Sequence, residues 1–347
     1  MSSTAKNKKI LAAIVVVIVI IAGIGVYWAT LPAPTPPKPT AKPVKLGFAV
    51  GPAGQASYIR GAAMADVVAK AFPAGSTVDL VVGGGYLTFP AAVNKGDADM
   101  SVTTAVSLMW AAAGTGPFKE KLGKQTNLRT IATELEPSYV FFVVRKEVPL
   151  DTIEDLKAKK YPLKLMTLQV GSEGEYIVGE LLQVLMGITY SDIKSWGGSV
   201  DHGSWETIAP AIKDGAKEAM AGVIPLKHAT LTEVCISTSM KFLPMSKAGI
   251  EKMVGLGGYA ETVLPAKSFQ GIDKDVPTVV ESLIMFVRAD LSDDVAYTIT
   301  KAIIENKATI VTAVPSMQVW KLESSMKNSP IQLHSGAIKY YKERGWM

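Results

Sequence analysis

Four short stretches concentrate the residues with chemistry to offer. Gly51-Pro52-Ala53-Gly54-Gln55-Ala56-Ser57, Gly83-Gly84-Gly85, Thr103-Thr104 and Gly171-Ser172-Glu173-Gly174 pair glycine or small hydroxyl residues with junctions between β-branched runs and helical patterns. Glycine loses more backbone entropy on folding than any other residue, so three in succession at 83–85 ask for a reason. One reading is that a ligand comes close to backbone N–H groups at a helix N-terminus, a natural place for an anionic group. The other is a tight strand-to-helix turn and nothing more. Four junctions of one composition favour the first reading. Gln55, Ser57, Tyr58, Gly83, Gly84, Gly85, Thr103, Thr104, Ser172, Glu173 and Gly174 are then the candidate ligand-binding residues. For Tyr58, packing on the body of the fold is an equal alternative, and Thr103 and Thr104 serve equally well as β-branched strand residues.

Charged residues near these loops leave two readings each. Glu136 either binds an amino or cationic group on a solute or pairs with a nearby Lys or Arg. Arg60 either clamps a carboxylate through its two-pronged guanidinium or is solvated. Glu173 and Glu175 together argue against a doubly anionic ligand unless a cation offsets them. His334 reads as a turn-stabilising residue.

Catalytic signatures fail on inspection. Gly255-Leu256-Gly257-Gly258-Tyr259-Ala260 fits a dinucleotide fingerprint only on paper, because it follows a helical segment rather than a strand. No phosphate-binding G-x-x-x-x-G-K-[ST] and no G-x-S-x-G nucleophile elbow occurs. Asp201-His202-Gly203-Ser204 places triad residue types side by side, but triads are assembled from distant loops. The three histidines, His202, His228 and His334, lack ligand spacing, and the one cysteine forms no cluster. Asp97 and Asp99 read as turn-forming and N–H-capping acids. An exported α/β chain with no nucleophile, metal cluster or phosphate loop reads as a binder, without cofactor or metal.

The elements that must position these loops alternate along the body. From Val44 onward, β-branched runs such as Lys45–Val50 and Thr77–Val82 alternate with amphipathic helical stretches, which predicts parallel sheets flanked by helices. Ile193–Val200 reads as one of the strands. There are too many strands for one compact sheet, so two lobes joined by crossing strands near 137–146 and 255–290 are expected. In such folds ligands sit beyond the carboxyl ends of strands, where the four loops fall. The expected division is lobe I over 44–142 plus 256–347 and lobe II over 143–255.

The N-terminus is different. Ile10–Ala29 is a 20-residue apolar run without charge, about 30 Å long as a helix and matched to a bilayer core. Lys6, Lys8 and Lys9 precede it and no acid occurs before Asp66, which places residues 1–9 in the cytoplasm and the body outside. Its length and the Tyr27-Trp28 pair favour a transmembrane anchor over 10–30 rather than a cleaved signal. Residues 31–43 carry six prolines and read as a semi-rigid extended linker. Lys6, Lys8, Lys9, Lys38 and Lys42 account for the whole formal net charge of +5. The body is therefore formally neutral, and nucleic acid is excluded as a partner. Cys235 reads as a buried, inert thiol.

Several motifs, in order, resemble one family. Gly54-Gln55-Ala56-Ser57-Tyr58 is similar to its first ligand loop. Gly83–Gly85 with Ala91–Asp99 is similar to its glycine turn and following helix. Arg129–Lys146 and Thr152–Lys159 match its strand pair and T-x-x-D-L-K-x-K segment. Gly171–Glu175 resembles its G-S-G-T-E loop. Leu333-His334-Ser335-Gly336-Ala337 with Tyr340-Tyr341-Lys342-Glu343 and Gly345 resembles its C-terminal motif. Departures are Glu136-Pro137-Ser138 in place of Tyr-Pro-Glu, Gln55 and Ala56 in the first loop, and Ser335 in place of Pro. The family is the TAXI-type solute-binding subunit of tripartite ATP-independent periplasmic (TRAP) transporters. The resemblance implies a type II periplasmic-binding-protein (Venus flytrap) fold and no enzymatic activity. It implies capture of a carboxylate or amino acid between two lobes and delivery to an ion-gradient-driven permease. A binding protein for an ATP-driven importer or a sensor kinase is the second reading, and an exported enzyme is the third.

Overall fold

The computed structural model describes residues 42–120 and 122–347. The expected tail, anchor and all but the end of the Pro-rich linker lie outside the described residues. Among the described residues no helix is long and apolar enough to cross a membrane.

Eleven strands form one connected sheet: β1 (Lys45–Val50), β2 (Thr77–Val82), β3 (Met100–Thr104), β4 (Leu128–Ala132), β5 (Pro137–Arg145), β6 (Lys164–Leu168), β7 (Ser199–Gly203), β8 (Ala219–Ile224), β9 (Met240–Phe242), β10 (Ala260–Leu264) and β11 (Val276–Arg288). The helices are α1 (Ala56–Lys70), α2 (Phe89–Lys95), α3 (Ala105–Ala113), α4 (Asp155–Ala158), α5 (Glu173–Met186), α6 (Tyr190–Ser195), α7 (Trp205–Lys213), α8 (Ala229–Ser237), α9 (Lys247–Gly255), α10 (Asp293–Glu305), α11 (Lys307–Ala313) and α12 (Ser335–Glu343).

The strand order is β2-β1-β3-β11-β5-β8-β6-β7, with β4 and β10 also on β11 and β9 on β5. β11 is the shared beam. Thirteen residues rich in β-branched and apolar types (VPTVVESLIMFVR) give it the length to serve two lobes. Its C-terminal half pairs with β3 and β4, and its N-terminal half with β5 and β10. The sheet is mixed rather than parallel. β11 runs antiparallel to β3, β4, β5 and β10, and β5 runs antiparallel to β8 and β9. Only β1–β2, β1–β3, β6–β7 and β6–β8 are parallel. Local alternation reports crossovers well but says nothing of a long strand returning through both lobes.

The core is continuous between the lobes. Phe89, Leu108 and Trp110 of the first lobe belong to the same buried cluster as Ile177, Leu181 and Leu182 of the second. Helix starts are set by hydroxyl caps: Thr104, Ser172, Ser246 and Ser292 each accept from the amide three residues on. The segment read as a strand over Ile193–Val200 divides differently. Thr189 and Asp192 form a capping box that starts α6, so Ile193–Ser195 close a helix and only Ser199 onward is strand.

Candidate functional site

Three loops at the carboxyl ends of β1, β2 and β6 surround a cavity of about 550 Å³. Gln55, Ala56 and Ser57 come from the first, Gly84–Thr88 from the second, and Gly171, Ser172 and Glu173 from the third. Six candidates named from sequence are thus brought together: Gln55, Ser57, Gly84, Gly85, Ser172 and Glu173. Gly83, Tyr58, Thr103, Thr104, Glu136 and Gly174 do not line it.

Each loop has a local reason for its shape. A side chain at Gly51 would collide with Ser57 Oγ at 2.5 Å and Gln55 Oε1 at 2.6 Å, so both polar groups fold back over the bare backbone there. The glycine triplet splits into unlike parts. Gly84 has φ +67°, and a Cβ there would lie 1.9 Å from Thr88 Oγ1; the turn requires glycine twice over. Thr88 Oγ1 accepts from the Gly85 amide at 2.8 Å, and the Gly83 amide donates to Val50 O at 2.9 Å. Among the described residues only the Gly84 amide of the three lacks a partner. Gly83 and Gly85 have open space where a Cβ would be, and neither needs a positive φ. In the third loop Ser172 caps α5, and Gly174 lets α5 press against Leu168, whose Cδ1 would lie 2.4 Å from an added Cβ.

The remaining candidates act around the cavity. Thr103 is fully buried and donates to Tyr86 O at 2.7 Å, which fixes the loop that Tyr86 belongs to. Thr104 caps α3 and donates to Glu173 Oε1, and Ser107 Oγ donates to the same oxygen at 2.5 Å. The first turn of α5 is thereby tied across the cleft to the first turn of α3. Tyr58 packs against the core of the first lobe. Arg60 and Glu136 pair with each other. The Arg60 Nε and Nη2 reach Glu136 Oε2 at 3.0 and 2.6 Å, and Nη1 donates to the Tyr86 hydroxyl at 3.0 Å. Their side chains are 12% and 7% exposed.

Sequence reasoning missed Tyr86, Leu87, Thr88, Ser107, Glu180 and Glu281. Tyr86 to Thr88 directly follow the glycines, and Ser107 stands three residues after a Thr that caps a helix, so those four had a signal. Glu180 lies two turns after Glu173 on α5, where its carboxylate accepts from Trp110 Nε1 at 2.9 Å and the Tyr259 hydroxyl at 2.8 Å. Glu281 sits in the apolar run of β11 and is 3% exposed.

The electrostatics of this region are those of carboxyl groups withdrawn from water. Burial raises Glu173, opposed by the Ser107 and Thr104 hydrogen bonds. Burial and then the charge of Glu173 push Glu281 well up. Burial also raises Glu180, and it lifts the Tyr86 hydroxyl to about 12. Elsewhere, Asp99 takes the Gly47 amide at 2.7 Å, and buried His334 caps α12 while contacting Leu291 O at 3.1 Å. Asp99 also accepts from Arg288 Nε at 2.7 Å, so both residues hold structure together away from the cavity.

A second cavity, of about 510 Å³, lies along β10, β11 and the start of β5, with Tyr139, Glu281 and Lys321 in its wall. It shares no residue with the first.

Residues 48–345 match the NMT1-like family. The chain belongs to the NMT1-like family. Its fold is similar to that of a TctC solute-binding protein from Polaromonas. The two are 16% identical over 89% of this chain and 98% of that one, with a TM-score of 0.51. PhnD1 from Prochlorococcus marinus, solved with methylphosphonate, is 14% identical over 88% of this chain and 100% of that one, with a TM-score of 0.49. A TRAP periplasmic solute-binding protein from Rhodobacter sphaeroides is 11% identical over 87% of this chain and 90% of that one, with a TM-score of 0.44. The NMT1-like chain has a two-lobed α/β fold built on a mixed sheet, similar to that of the TctC solute-binding protein.

Proposed function

We propose that the chain is an extracytoplasmic receptor for a small organic solute. The observation that carries the reading is the cavity walled by loops from both lobes at the strand ends, which is where open α/β sheets take ligands and is of a volume suited to a metabolite. Family membership and the fold shared with a TctC solute-binding protein support it. In this reading lobe I is 44–142 with 256–347 and lobe II is 143–255. Solute bound between them favours the closed arrangement by population shift. Gln55, Ser57, Gly84, Gly85, Ser172 and Glu173 line the solute's cavity, and Tyr58, Gly83, Thr103, Thr104, Glu136 and Gly174 shape its surroundings. The chain performs capture and delivery rather than catalysis.

The finer assignment is a TAXI-type receptor for a TRAP permease, supported by the order of motifs from Gly54 to Gly345. The run Ile10–Ala29 with its preceding lysines supports an anchor in the cytoplasmic membrane, and the Pro-rich linker holds the body off its outer face. A thermal-shift screen of the full chain against amino acids, dicarboxylates, keto acids and sugar acids tests the receptor reading. Solute at 100 times Kd adds about 2.7 kcal/mol of stability, a rise of a few degrees. A cooperative melt that no solute moves would contradict the reading.

A further inference from the structure

Side chains bridge the two lobes at one place. Among the described residues, every side-chain hydrogen bond between lobe I and lobe II, as divided above, ends on one of two carboxyls of α5. Glu173 receives the Thr104 and Ser107 hydroxyls, and Glu180 receives Trp110 Nε1 at 2.9 Å and the Tyr259 hydroxyl at 2.8 Å. All the donors belong to lobe I and both acceptors to lobe II. The spacing is helical on each side. Glu173, Tyr176 and Glu180 follow one face of α5, and Thr104, Ser107 and Trp110 recur every three residues from the cap of α3. Between the two carboxyls the Tyr176 ring meets Trp110 edge-on, with centroids 6.1 Å apart. Thr104, Ser107, Trp110 and Tyr259 are all buried. Glu173 also lines the first cavity, so the row ends at the candidate solute site.

Such a row ties the lobes on a condition. Interfaces between bodies that move are more polar than permanent ones, and a buried carboxyl is tolerated only while donors reach it. With its donors in place, each carboxyl holds α5 to α3. Without them it is an uncompensated group that regains its hydration when the lobes part. Behind the row, the apolar cluster that includes Leu108, Trp110, Ile177 and Leu181 weighs on the same side, because parting the lobes wets that surface too. We propose that Glu173 and Glu180 latch the lobes together before solute arrives, so that the receptor rests closed; this rests on the two-lobed receptor reading above but not on which solute binds. The latch sets the loop at 171–173 against those at 55–57 and 84–88 in advance. Glu180 lines neither cavity, so it acts on the site only by placing α5 and is a positioning residue.

The test is double electron–electron resonance on the full chain in nanodiscs, without added solute. Spin labels are carried by Lys70→Cys on α1 and Lys194→Cys on α6, exposed positions in lobe I and lobe II, while Cys235 is buried and stays unlabelled. Labelling follows a urea wash and refolding that strip any carried solute. The expected result for the parent is one narrow distance distribution, with an open population of about 10% or less. Glu180→Gln should keep that distribution, since the amide oxygen still receives Trp110 and its N–H reaches the Tyr259 oxygen. Glu180→Ala, and separately the double variant Ser107→Ala with Tyr259→Phe, should move most molecules to a second, longer distance. The double variant alters neither α5 nor any residue lining the first cavity, and it decides the matter where Glu180→Ala fails to fold. A stripped parent that rests at the longer distance, or a folded double variant that keeps the parent distance whatever its melting temperature, overturns the latch and leaves the receptor reading standing. The receptor reading fails separately, when no solute moves the melt of the parent.

Discussion

Glu136→Leu isolates the buried Arg60–Glu136 ion pair. The substitution removes the carboxylate that receives two Arg60 nitrogens at 2.6 and 3.0 Å and leaves the guanidinium with the Tyr86 hydroxyl alone. Arg60 is only 12% exposed, so water replaces little of what is lost. Breaking a buried pair from one side costs about 3–5 kcal/mol, roughly 5–8 °C in Tm for a body of this size. Replacing both partners, Arg60→Met with Glu136→Leu, leaves no charge behind and should recover most of the loss, because buried pairs exchanged for apolar residues are often neutral. Urea unfolding of the two variants and the parent gives all three values at once. A Glu136→Leu loss under about 1 kcal/mol would refute the reasoning. Arg60 would then reach solvent or solute freely, and a carboxylate clamp would return as its role.

Gly84→Ala should cost about 2 kcal/mol or more in urea unfolding, since it combines a positive φ with a collision against Thr88, while Gly83→Ala and Gly85→Ala should stay within about 1 kcal/mol of the parent. The pH dependence of stability has a definite sign. Glu281 is held above its unfolded value, about 4.3, so its contribution is complete below that pH and is lost as pH rises through the folded value. The ligand-free Glu281→Gln variant should therefore exceed the parent in stability at pH 8, with the gap closing toward pH 5, as followed by urea midpoints. Cys235 is buried and its thiol is pushed up to about 12, so a thiol reagent at pH 8 should label it only in denaturant.

Much of the fold was legible because it is written locally. The glycine-rich and hydroxyl-rich junctions fall at the ends of β1, β2, β3 and β6, and Pro137–Arg145 is a strand that crosses between lobes. What was not legible lies in partners far apart along the chain. Arg60 and Glu136 stand 76 residues apart, and no pattern in either neighbourhood announces the other. Glu281 looks like an interruption in a strand until β11 is seen to pass beneath α3. The antiparallel sense of β11 is a property of tertiary return, which helix-strand alternation does not carry. The three glycines read alike in sequence, yet only Gly84 has a backbone that demands one. Ile193–Ser195 has β-branched character but follows a capping box, and the cap outweighs so short a run.

The central claim is that solute binds between the three loops rather than elsewhere on the molecule. Hydrogen exchange of the full chain, with and without the solute that most raises its melting temperature, tests this most directly. Slowed exchange is expected at residues 55–57, 84–88 and 171–173, in loops from both lobes at once. Protection confined to the wall of the second cavity, around Tyr139 and Lys321, with those three loops unchanged, would contradict it.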